Sequence, residues 1–171
     1  MIVINYGETS FELKNEFNEF FLFEFQKITD ILNNEDSVLY KYLDIFTYLG
    51  LGKLMDVITD EKLIDIIVDF RKSETPNVFT KEWVYDGITY TSYVGEEYKL
   101  MARDMGKIEK AIIDNNNVLA RIMSIIFKSD VKSEAERFII FDKNMTADIA
   151  IPFIASISER SMKSLEKLII K

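Results

Sequence analysis

The sequence predicts an α+β protein, mostly helical, built as two tandem β-hairpin-plus-helices modules related by internal duplication. Three observations predict it. A slide of about 80 residues keeps an ungapped register from Ile4 to Phe46, placing Gly7 on Gly87, Thr9 on Thr89, Glu16 on Glu96 and Lys27-Ile28 on Lys107-Ile108. Apolar residues mostly meet apolar residues in that register, as in Val38-Leu39 on Val118-Leu119 and Ile45 on Ile125. Within each half the apolar period changes from that of strands to that of helices.

The elements follow in chain order. Ile2–Asn5 and Ser10–Leu13 are β-prone runs around the turn signal Tyr6-Gly7-Glu8. Phe17–Leu32 reads as extended, then helical, with Glu24 ahead of Phe25, Ile28, Ile31 and Leu32. Asn33-Asn34 breaks that helix, because asparagine favours turns. Leu39, Tyr42, Leu43, Phe46 and Leu49 then share one helical face, which Gly50 and Gly52 are expected to end. Thr59 is placed to cap a helix over 60–72, whose buried stripe is Leu63, Ile66, Ile67 and Phe70.

The polar stretch 73–81, with Pro76 and Asn77, divides module 1–75 from module 76–157. In the second module Asp86-Gly87, between Trp83-Val84-Tyr85 and a run from Ile88 to Tyr93, carries a strong hairpin signal, since a type I′ turn needs positive φ at both central residues. Tyr98–Ile113 parallels Phe17–Leu32, with Asp104 as the expected cap. Leu119, Ile122, Met123, Ile126 and Phe127 form the next helical face, ending near Ser129-Asp130. A third helix, Thr146–Ile157, matches 59–70 once seven residues are inserted near 132–137, and Pro152 is expected to kink it or shorten its first turn. A C-terminal helix over 158–171 carries Met162, Leu165, Leu168 and Ile169 at helical spacing. At 171 residues the modules are expected to pack as one compact body.

Composition excludes much chemistry. There is no cysteine, hence no disulfide or thiolate metal site. There is no histidine, which removes the commonest general base and metal ligand and with it the serine-triad and zinc-hydrolase readings. The net charge of -8 opposes a phosphate backbone, so no nucleic-acid partner is expected, even with Tyr85, Tyr90 and Tyr93 gathered on one hairpin. No apolar run is long enough to span a bilayer, and the N-terminus has no basic region or cleavage site, so no membrane role or signal peptide is expected and the chain reads as cytosolic.

The carboxylates Glu96-Glu97, Asp60-Glu61-Asp65 and Glu134-Glu136 have no EF-hand spacing and no paired nucleophile, and they read as solvated surface. No catalytic, cofactor-binding or metal-binding residue is assigned, and the chain reads as non-enzymatic. The densest aromatic run is Phe17, Phe20, Phe21, Phe23 and Phe25, which reads either as core or as a groove for a partner. The partner-binding candidates are Phe20, Phe21 and Phe23, with Met162 and Leu165 on the C-terminal helix.

The arrangement resembles small tail-module proteins of tailed bacteriophages, particularly tail assembly chaperones. The likeness is carried by Phe25 to Leu32 (FQKITDIL) with Tyr42 to Gly50 (YLDIFTYLG), and by Asp104 to Lys110 with Met145 to Ile154. It implies a protein of the host cytoplasm that binds a tape-measure or other tail protein during assembly, with no catalytic residues to carry over. Two other readings stay open. One is a permanent virion component such as a baseplate, neck or connector subunit. The other is an acidic host-directed inhibitor, although the acidic residues are interleaved with 21 lysines and arginines. Self-association is compatible with all three.

Overall fold

A computed structural model of the chain describes residues 1–56, 58–72, 74–92 and 102–157. It is α+β and mostly helical, with two small antiparallel sheets. The chain opens with a hairpin, β1 (Ile2–Tyr6) and β2 (Thr9–Leu13). A 3-10 turn at Phe17–Glu19 leads to α1 (Leu22–Leu32) and α2 (Val38–Phe46). The second hairpin is β3 (Glu82–Tyr85) and β4 (Ile88–Ser92), followed by α5 (Ala102–Asp114) and α6 (Val118–Ile126).

Between the hairpin blocks the helical path does not stop at Gly50. A π-helical turn at Thr47–Leu51 carries it into the short α3 (Gly52–Met55), with Gly50 alone at φ 91° absorbing the bend. Glycine adopts that φ without a Cβ clash, so it redirects the helix where a terminus was expected. Then α4 (Asp60–Phe70) starts at Thr59, whose Oγ1 accepts the Lys62 N–H at 3.4 Å.

The second half departs further from its sequence reading. After α6 the chain extends as β5 (Phe127–Lys128), which pairs with β4. The expected seven-residue insertion is part of a full helix, α7 (Glu134–Asn144), capped by Ser133 and Glu136. A further helix, α8 (147–157), runs on through Pro152. Asp104 lies in the first turn of α5, two residues inside the helix, and Phe21 rather than Glu24 occupies the cap of α1. Glu24 stands three residues on, where its carboxylate accepts the Phe21 N–H at 3.0 Å.

Helices α2 and α6 lie 80 residues apart with matching bounds, and α4 and α8 lie 87 apart. Residues in that correspondence are buried together: Ile28 with Ile108, Ile45 with Ile125, Phe46 with Ile126, Leu54 with Phe141, and Ile66 with Phe153. The hairpins break the correspondence. Ile4 is in the core, whereas Val84, its partner in the 80-residue register, faces solvent and Tyr90 is buried instead. The turns explain this. Gly7 is the first loop residue of its turn, between the pair Tyr6 and Thr9, and alone has positive φ; Gly87 is the second, after Asp86, and both have positive φ. The loop therefore begins one residue earlier against the sequence register, Val84 pairing with Thr89 where Ile4 pairs with Phe11, and a strand displaced by one residue relative to its turn presents its other face.

The described residues form two cores, and each borrows from the other half. Ile28, Tyr42, Phe46, Leu54, Leu63 and Ile66 build the first, joined by Ala147 from α8. Ile108, Ile122, Met123, Phe127, Phe141 and Phe153 build the second, joined by Leu22 from α1. The exchange is made at an antiparallel bridge between Phe21 and Thr146. There the Leu22 N–H donates to the Met145 carbonyl at 3.0 Å, and the Ala147 N–H donates to the Phe20 carbonyl at 2.9 Å. Among the described residues no helix is long and apolar enough to cross a membrane.

Candidate functional site

The bridge that joins the halves also sorts the phenylalanine run. Successive side chains of an extended segment point to opposite sides. Phe20 and Leu22 turn inward and are buried, while Phe21 between them turns outward. Phe20 therefore cannot serve as the surface contact expected of it: its ring lies in the first core, edge-on to Phe70 at 6.4 Å. Phe17 and Phe25 also pack on that core, edge to face at 5.5 Å. What remains outside is Phe21, 38% exposed, and Phe23, 42% exposed, with parallel rings 6.3 Å apart.

A charged pair holds this aromatic surface in place. The Lys14 Nζ bonds both oxygens of Glu24, at 2.9 and 3.0 Å, and sits 5.9 Å from the ring centroids of Phe20 and Phe21. Glu24 thus ties α1 to the residue that follows β2 while also capping the helix. Beside it opens a cleft of about 490 Å³, lined by Glu12, Lys14, Glu24, Tyr48, Leu49 and Gly50 among others. Burial, and then the charge of Glu24, push the Tyr48 phenol above its ordinary pKa, so it is a neutral hydrogen-bonding group there. The π-helical turn places Tyr48 on this wall.

The other sequence candidates scatter. Met162 and Leu165 lie outside the described residues, as do Tyr93 and Glu96-Glu97. Tyr90 is buried and Tyr85 is exposed, its ring stacked on Trp83 at 5.5 Å, so the tyrosines do not form one platform. Glu136 serves its own helix cap, and Glu134 pairs with Lys107 at 2.5 Å. Among the described residues no group of three or more carboxylates is placed to hold a metal ion.

Sequence reasoning missed a second apolar surface, at the start of α2. The amphipathic pattern puts Leu39 on the buried face, but Val38, Leu39 and Tyr40 are all exposed. The available signal was the offset itself: Tyr40 falls on Ala120, and a tyrosine where its counterpart is an alanine does not suit the same close packing. Comparison with protein-family models, with curated proteins and with solved structures finds no match.

Proposed function

We propose that this chain is a non-enzymatic protein-binding protein whose two halves are copies of one module, and that it acts as an assembly chaperone for a bacteriophage tail. One observation carries the binding role: two phenylalanine rings stacked at the surface, anchored from behind by the Lys14–Glu24 pair and by the bridge to residues 145–147. Rings already stacked on each other have less freedom to lose on contact than separate side chains, which favours binding through a few preorganised groups.

The magnitude suits a transient partner. A phenylalanine offers roughly 200 Å² in all, so the exposed parts of the two rings amount to about 160 Å². Covering them yields about 4 kcal/mol at about 25 cal/mol per Å². That only begins to offset the roughly 4–15 kcal/mol of freedom lost on association. Contact through this pair is therefore weak and reversible, as a chaperone that later gives way to tail-tube subunits requires. The tail setting rests on the sequence resemblance alone.

The experiment asks whether the neighbouring reading frame encodes a long helical protein and, given one, co-expresses the two and reads how much of that protein stays in solution; a neighbourhood without one would overturn the tail setting. The wild type should keep it soluble, and Phe21→Glu with Phe23→Glu should return it to the pellet while the variant's own melting temperature is unchanged. Equal solubility with wild type and variant would overturn the assignment of this surface. Stoichiometric presence of the chain in purified virions would favour a structural subunit instead.

A further inference from the structure

The chain already contains one helix-on-helix contact between its halves. Helix α1 lies on α6: Leu22 joins the core around Met123, and the Gln26 side-chain oxygen accepts the Leu119 N–H at 3.2 Å. That N–H is one of the unsatisfied donors of a helix start, so α1 both covers and caps α6. Under it Ala120 is 1% exposed.

The corresponding surfaces on α2 and α5 are open among the described residues. Tyr40, 80 residues before Ala120, is 66% exposed, with Val38 and Leu39 exposed beside it. On α5, the counterpart of α1, Gly106 stands at the position of Gln26, and a Cβ built there would meet nothing within 4 Å. Ile113, near the end of the same helix, is 81% exposed, and Ile112 is exposed beside it. An acceptor surface and a donor surface of the same interface are thus presented by one chain and left uncovered among the described residues.

We infer that a second copy of this chain occupies these surfaces, with α5 of one copy lying on the start of α2 of the next. The contact repeats between chains the placement of α1 on α6 made within each chain, with the sizes exchanged: Gly106 in the place of Gln26 leaves room for Tyr40 in the place of Ala120. Charge does not set the pairing: Glu35 and Asp36 precede α2, while α5 carries Arg103, Lys107 and Lys110 beside Asp104, Glu109 and Asp114, and Lys107 is paired with Glu134. Because the two surfaces differ, the association is head-to-tail, and it either closes into a ring or extends. The exposed apolar residues amount to some 500 Å², under half of the roughly 1,200 Å² that a specific stable interface buries. Assembly is therefore expected to be reversible and concentration-dependent. It does not depend on the role proposed for Phe21 and Phe23.

Sedimentation velocity of the full chain, from about 1 μM to about 1 mM to bracket weak affinities, tests this. The wild type should gain mass with concentration and pass beyond a dimer. Tyr40→Glu keeps only the α5 surface and Ile113→Glu keeps only the α2 surface, so each alone should remain a monomer. Mixed in equal amounts they should form a dimer and nothing larger. A wild type that stays monomeric throughout, an oligomer that survives either substitution, or a mixture that stays monomeric would each overturn the inference. Tyr40→Ser and Ile113→Ser repeat the experiment without an added charge. Phe21→Glu should leave the mass distribution as it is in the wild type.

Discussion

Arg137 is 5% exposed, and its guanidinium is spent on main-chain carbonyls. Nε and Nη2 donate to the Ser124 oxygen at 3.1 and 2.9 Å, and Nη1 donates to the Lys132 oxygen at 2.6 Å. Ser124 lies in the last turn of α6, where carbonyls have no partner within the helix and carry the negative end of its dipole. The arginine therefore terminates α6, holds the 127–133 connection and anchors α7 together. Arg137→Met keeps most of the apolar stem and removes the head. A buried carbonyl left unsatisfied costs about 1–3 kcal/mol, and the charge-assisted bonds lost are partly offset by no longer burying a cation. We expect a net loss of about 2–4 kcal/mol, read by urea unfolding as a lower midpoint at unchanged slope, and a melting temperature lower by about 5–12 °C. Arg137→Lys, which cannot reach two carbonyls with a planar fork, should fall between the two. If Arg137→Met costs less than about 0.5 kcal/mol, these bonds do not hold the α6–α7 corner and the reasoning fails.

Three further outcomes are expected. Leu22→Ala should cost about 3 kcal/mol, because a fully buried leucine leaves a cavity; since Leu22 is covalently in the first half and packed in the second core, urea unfolding followed by Trp83 fluorescence and by circular dichroism should stay a single coincident transition. Gly50→Ala should cost about 1–2 kcal/mol by thermal melting from backbone strain alone, since φ is 91° and nothing lies within 4 Å of the new methyl, and Gly50→Asn should cost less. The Glu136 carboxyl is held below its ordinary value of 4.5, first by the Ser133 N–H, then by the Ser133 hydroxyl and Lys132. Its contribution is thus present above pH 4.5 and lost as pH falls through the lower folded value, so Glu136→Gln should flatten the acid limb of a stability–pH profile measured between pH 5 and about 2.

Helices were legible wherever a stripe of apolar residues faced one core. Leu63, Ile66 and Ile67 on α4 and Ile122, Met123 and Ile126 on α6 are buried as their spacing requires. The same rule failed at α7 for a physical reason. Its inward side chains include Arg137, a residue that burial preferences assign to solvent, and the carbonyls that satisfy it belong to a helix end and a loop whose meeting is not local. The two hairpins show a different limit. Their glycines align in the 80-residue register, yet what sets the inward face is the glycine's place within the two-residue loop. An aligned glycine therefore accompanied opposite faces, and Val84 lies outside where Ile4 lies inside.

The surface proposed for binding was half legible for a related reason. Five phenylalanines among nine residues announce apolar area but not its direction, because the run passes from a 3-10 turn to an extended bridge to a helix. Each change of backbone period re-aims the next side chain. Only the bridge to Thr146, more than a hundred residues away, decides that Phe20 enters the core and Phe21 does not. It follows that the exposed pair depends on the second half of the chain being folded. A Phe21–Phe23 surface made this way is presented only by the assembled molecule, so the partner binding proposed for it and the union of the two cores should stand or fall together. Leu22→Ala, which weakens that union without touching the surface, should then lower partner capture in proportion to the fraction unfolded. A Leu22→Ala protein that lost capture while still fully folded would break the link.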